Sequence, residues 1–185
     1  MRAYLSFLLV LLSLLLVFSL LELNIRSSNF KVLVIERSYS LSMNVKENII
    51  ESLRQGAWKG FDEYDQSHDI KLCRHCAPCL PSDCNPSLCG QCFREQEARG
   101  QAEASAISAF MQLVQHQFDP DFQILISDPG MEIITESDPL SKNGYALNSV
   151  RLNRDIDITT DSKFGTKGTA KVPEGMMIYE SAGDS

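Results

Sequence analysis

Basic side chains are in short supply. Lysine and arginine number 17 against 24 aspartates and glutamates, a net charge of −7. A chain this acidic has no electrostatic footprint for a phosphate backbone, so no nucleic-acid partner is expected. Ten glycines and seven prolines in 185 residues exclude a collagen-like or wholly disordered chain. There is one tryptophan, Trp58, on a helical stretch where packing is the expected role. Catalytic signatures are absent: no G-x-S-x-G, no H-E-x-x-H, no phosphate-binding glycine loop and no dinucleotide fingerprint. Asn85-Pro86-Ser87 and Asn148-Ser149-Val150 both fail as glycosylation acceptors. A non-enzymatic protein without a resident cofactor is the expectation.

What is abundant is placed unevenly. Of the first 23 residues, 18 are apolar, and residues 3–21 carry no charge. As a helix they span about 28 Å, close to a hydrocarbon core. The run is longer than a typical signal-peptide core, and Ser19-Leu20-Leu21-Glu22-Leu23 offers no small-x-small cleavage pattern. Residues 3–23 are therefore read as an uncleaved transmembrane helix that takes the lipid bilayer as its partner. Arg26, Lys31 and Arg37 follow it, and Arg2 precedes it. Although that tally leans slightly the other way, a short basic start before a leucine-rich run matches a signal-anchor. The carboxy-terminal domain is read as extracytoplasmic.

Residues 24–64 read as an amphipathic helix. Val34, Leu41, Val45, Ile49, Leu53 and Ala57 recur at steps of seven and four, on one face. Gly56 and Gly60 suggest fraying, and Asn24 to Asn29 is a potential break. Residues 65–92 are polar, then cysteine-rich, and Pro78, Pro81 and Pro86 exclude a long helix there. A second helix is expected over 93–118. Ala98, Ala102, Ala106 and Ala109 or Phe110 form its small-residue face, and Ile107, Leu113, Val114 and Phe118 a larger one. The small face lets another backbone approach, so an antiparallel pair is expected.

Residues 119–185 change period. Phe122–Ile126 and Met131–Thr135 flank Asp128-Pro129-Gly130, which reads as a hairpin. Val150, Leu152, Ile156 and Ile158 alternate with polar residues, and Thr169 to Tyr179 is a fourth candidate strand. About four strands in an antiparallel meander are expected. This region holds 12 acidic and 6 basic residues, so the acidity belongs to the strands. The fold class is α+β.

All six cysteines fall within residues 73–92. Cys73/Cys76 and Cys89/Cys92 form two C-x2-C knuckles twelve residues apart, a spacing that suits a tetrahedral zinc site. His68 and His75 are alternative ligands. The competing reading is a disulfide knot that also uses Cys79 and Cys84, favoured if the domain lies outside the cytosol. An iron–sulfur cluster and thiol redox chemistry at Cys73-Arg74-His75-Cys76 are weaker options. Asp155, Asp157 and Asp161 could face a calcium ion, but no glycine-centred loop surrounds them. A solvated strand face is the better reading.

An apolar amino-terminal helix, continued by an amphipathic helix and followed by an antiparallel sheet, resembles the type IV pilin-like single-pass membrane proteins, including small archaeal ones. The resemblance is one of architecture and carries over no site residue. It implies an outward-facing domain for interaction or pilus-like assembly with other envelope proteins or with itself. The alternative, from the cysteines, is a zinc-binding or thiol-redox protein.

Overall fold

The computed structural model describes residues 2–73, 89–115 and 118–180, with the side chains of the first helix from residue 11 onward. Among the described residues, three helices and six strands follow in order. They are α1 (Arg2–Ser67), α2 (Ile70–Cys73), α3 (Glu95–Gln115), β1 (Phe122–Ile126), β2 (Met131–Ser137), β3 (Tyr145–Leu152), β4 (Ile156–Ser162), β5 (Lys167–Val172) and β6 (Met177–Tyr179). The class is α+β, as expected.

Helix α1 runs unbroken for 66 residues, about 100 Å. Asn24 to Asn29 contain neither glycine nor proline, and the helix passes straight through them. It is long and apolar enough to cross a membrane, and its most apolar window is wholly unburied. Farther along, Val45, Ile49, Leu53 and Ala57 have no solvent exposure, and Leu41 packs against their cluster. The expected packing face is therefore the real one. Each large side chain so buried contributes roughly 1.5–3 kcal/mol.

Gly56 and Gly60 do not mark fraying, because the helix continues to Ser67. They are where α1 and α3 touch. A Cβ at Gly56 would lie 2.7 Å from the Ala106 Cα, and one at Gly60 would lie 2.8 Å from the Gln101 carbonyl oxygen. As α1 advances its contacts on α3 step backwards, so the pair is antiparallel. Ala98, Ala102 and Ala106 are fully buried and Phe110 nearly so, as their spacing implied. The larger face is a correction. Leu113 and Phe118 pack against the core, but Ile107 and Val114 are exposed, together with Met111. Helix α3 begins at Glu95, two residues later than the expected start at 93. Glu95 and Glu97 in its first turn complement the helix dipole.

The strands depart from a four-stranded meander. There are two three-stranded antiparallel sheets, ordered β1-β4-β5 and β2-β3-β6. The expected β1–β2 hairpin does not form, and those strands lie in different sheets. The connection pairs elsewhere: Ser127 N donates to the Asp157 carbonyl, and Asn153 N donates to the Gly130 carbonyl. Pro129 has no N–H with which to close a turn. The long alternating run splits at Asn153 to Asp155, so β3 and β4 also separate. The interruption at Pro173 to Gly175 sends β6 back to β3. Ile133, Val150, Leu152 and Ile178 from one sheet meet Ile156, Ile158 and Val172 from the other in a single core with α1 and α3.

Helix α1 contacts β4 and β5 of one sheet and β3 and β6 of the other, while α3 contacts β2. Against the first sheet the approach is backbone-close. A Cβ at Gly168 would lie 2.6 Å from the Ser38 carbonyl oxygen. Ser38 Oγ and Thr160 Oγ1, both fully buried, hydrogen-bond at 2.9 Å. The outer edge is held by the Arg37–Asp119 ion pair at 2.7 Å and the edge-on Phe30–Phe164 ring pair at 5.1 Å.

Helix propensity and packing make opposite demands at the glycines. Gly100 on α3 is exposed, and a Cβ there would meet nothing within 4 Å. Gly100→Ala is expected to stabilise the protein by about 0.5–1 kcal/mol. Gly56→Ala and Gly60→Ala, despite the same propensity gain, are expected to lower the thermal midpoint in detergent solution. Thermal unfolding followed by circular dichroism separates the two signs.

Candidate functional site

The cysteine segment leaves and re-enters the fold at one place. Helix α1 stops at Ser67, whose hydroxyl donates to the carbonyls of Glu63 (2.9 Å) and Tyr64 (3.0 Å). Asp69 then joins the two arms. Its N–H donates to the Gln91 carbonyl at 3.0 Å, and its carbonyl accepts from Phe93 N at 3.4 Å. Its carboxylate accepts from Lys71 N at 2.8 Å, which starts α2. One turn later Cys73 and Cys92 form a disulfide, with their Cα atoms 5.0 Å apart.

Asn143, from the β2–β3 connection, locks this junction to the sheet and is only 1% exposed. Its Oδ1 accepts from Ile70 N at 2.8 Å. Its Nδ2 donates to Asp65 Oδ1 at 2.8 Å and to the His68 carbonyl at 3.0 Å. One side chain thus satisfies backbone groups at the end of α1 and the start of α2. Neighbouring Lys142 also donates to the His68 carbonyl, at 3.0 Å.

Below the junction lies an aromatic cluster. The Phe93 ring packs 5.7 Å from Tyr64, 6.0 Å from Tyr145 and 6.5 Å from Phe61. Tyr64 donates to Glu97 Oε2 at 2.9 Å. Burial first, then the Glu97 carboxylate, pushes its pKa up to about 12. It is a fixed neutral donor, not a titrating acid. His68 stacks on Tyr64 at 3.9 Å, and its Nδ1 lies 2.9 Å from the Tyr64 carbonyl.

Of the four expected zinc ligands, Cys73 and Cys92 are bonded to each other and Cys89 is also disulfide-bonded. A sulfur in a disulfide is not a thiolate donor. Cys76, Cys79, Cys84 and His75 lie outside the described residues. Among the described residues, no group of three or more His, Cys, Asp or Glu side chains is placed to hold a metal. The aspartates just before and within β4 face lysines of β5 instead. Asp155 pairs with Lys171 at 2.6 Å and Asp161 with Lys167 at 3.2 Å. Trp58 is half-buried against the core.

Beside the junction is an open cleft of about 200 Å³ bordered by Trp58, Asp62, Asp65, Tyr145 and Glu180. It is smaller than the roughly 300 Å³ at which small-molecule sites begin. Burial, with help from Glu180 and Asp65, raises the Asp62 pKa above the ordinary carboxylate value. Asp119 is the reverse case. The backbone N–H of Asp121 and the Arg37 guanidinium hold its carboxyl below the usual value. Asn143 and Asp69, which organise the junction, carried no motif. Asn143-Gly144 signals only a turn, with Gly144 at φ 78°.

The disulfide and the shifted carboxyls each carry an expected outcome. Cys73 and Cys92 are 19 residues apart in sequence, and closing such a loop in the unfolded chain stabilises the fold by about 3 kcal/mol. Cys73→Ala with Cys92→Ala is expected to cost roughly that much by denaturant unfolding, as is selective reduction. The second outcome concerns pH. The depressed Asp119 adds stability at neutral pH that is lost as the pH falls below about 4. Asp119→Asn should lower the thermal midpoint at pH 7 and flatten the acid limb. Asp62, raised in the fold, opposes stability when charged, so Asp62→Asn should raise the midpoint at pH 7 and not at pH 3.

No protein-family model, curated protein or solved structure matches the chain.

Proposed function

We propose that the protein is a membrane-anchored, non-enzymatic domain displayed outside the cytoplasm, where it serves interaction or pilus-like assembly in the cell envelope. One observation carries the reading. A single helix is bare and apolar at one end, where Leu11 to Leu23 stand exposed, and wrapped by a folded domain from Val34 onward. Water would not tolerate such a surface, whereas a bilayer covers it. The Cys73–Cys92 disulfide supports the outward orientation, because thiols oxidise stably beyond the reducing cytosol. The partners are the bilayer, through residues 3–23, and other envelope proteins or further copies of the chain.

Three measurements test this. The chain should sediment with membranes and resist alkaline extraction, and deletion of residues 3–23 should release it. Protease added to intact cells should digest the domain. Mass spectrometry without reductant should find Cys73 and Cys92 linked and no metal bound. Protection of the domain, with one zinc per chain and free thiols at Cys73, Cys76, Cys89 and Cys92, would replace the reading with the zinc-binding alternative.

A further inference from the structure

Helix α1 carries a second apolar stripe that the domain does not use. Within the membrane segment it comprises Leu11, Leu14, Phe18 and Leu21, at alternating steps of three and four. The same alternation continues beyond the apolar span through Ile25, Ser28, Val32, Ile35 and Tyr39. The four large residues of that continuation are all more than half exposed. At 3.6 residues per turn, they sit about 130° around the axis from the domain-facing row of Val34, Ser38, Leu41 and Val45. The stripe ends where the domain begins to close on it. Ser42, the next position, is fully buried and donates to the Tyr39 carbonyl at 2.8 Å, and the position after that is Lys46.

Beyond the apolar run, where the other faces turn polar or meet the domain, two heptads of this three-four alternation remain, the spacing of a supercoiled helix pair. The charges name the occupant. With Ile25, Val32 and Tyr39 at the first core position and Ser28 and Ile35 at the second, Lys31 and Glu36 flank the seam on opposite sides. They are five residues apart, the offset that brings such residues together between two parallel, in-register copies. Both are exposed, and neither makes an ion pair among the described residues. Asn24 and Asn29 stand at the same offset one heptad earlier and are exposed too. The surface is self-complementary.

The geometry points to a second copy of this chain as the occupant, docked through Ile25–Tyr39 as a parallel two-stranded coiled coil just beyond the membrane. This rests on the membrane-anchored reading above. Two heptads are too short to pair stably in water as separate molecules. A shared bilayer holds the two copies parallel, at matched depth and at high effective concentration.

Cysteine cross-linking of the full chain in native membranes tests it. Ile25→Cys and Val32→Cys should each give an oxidised dimer linked at the added residue, as mapped by mass spectrometry. Leu33→Cys, equally exposed but on a different face, should not. Lys31→Glu should reduce the Val32→Cys dimer roughly fivefold, the order expected when two symmetry-related ion pairs become repulsive. Adding Glu36→Lys should restore it. Equal linking through Leu33→Cys, a ladder of species above the dimer, or failure of the second charge reversal to rescue would overturn the two-stranded seam. Membrane-bound chain without any cross-link would overturn the dimer and leave the anchor intact. Chain in the soluble fraction would overturn both.

Discussion

The close approach of α1 to its neighbours is the constraint on which everything else hangs. Gly56 and Gly60 let it meet the alanine face of α3, and Gly168 lets a strand press against its backbone at Ser38. Both sheets use the same helix as a wall, so their strands share one core without forming a sandwich of their own. Three positions without side chains thus set the distances at which Val45, Ile49, Leu53 and the strand residues interdigitate. The cost is rigidity of composition, since backbone-close packing tolerates little change in side-chain volume.

Much of the helical architecture is readable from residue spacing. The stripe from Val34 to Ala57 and the alanines of α3 follow helical periodicity because each packs on one continuous face. The strands were legible as segments but not as a topology. Asp128-Pro129-Gly130 has turn chemistry, yet the hydrogen bonds that decide its partners come from Asn153 and Asp157. Local composition cannot encode pairing between β1 and β4, separated by about thirty residues. Gly56 and Gly60 misled for a related reason: glycine lowers helix propensity locally, and tertiary contact overrode it.

The junction at the cysteine segment shows the same division. Clustered cysteines announced a cross-linked or metal-bound loop, and the disulfide between Cys73 and Cys92 joins the ends of the cluster. Asn143, which makes the densest set of hydrogen bonds there, lies some seventy residues downstream of the groups it satisfies. Nothing in its neighbours foretells that reach. The second stripe of α1 was written in the sequence throughout, but overlapped the membrane run, where every face is apolar. Only the position of the domain on a different face made it stand out.

The return of β6 to β3 has a consequence for how the chain is made. Ile178 is nearly fully buried in the common core, and it belongs to the last of the six strands among the described residues. The face of α1 that it helps to cover emerges from the ribosome more than a hundred residues earlier. At 5–20 residues per second, that face waits roughly five to thirty seconds for its final partner. Throughout that interval the nascent helix carries an apolar flank that is not yet fully covered. The order of synthesis therefore leaves that flank of α1 without its last cover until the strand arrives.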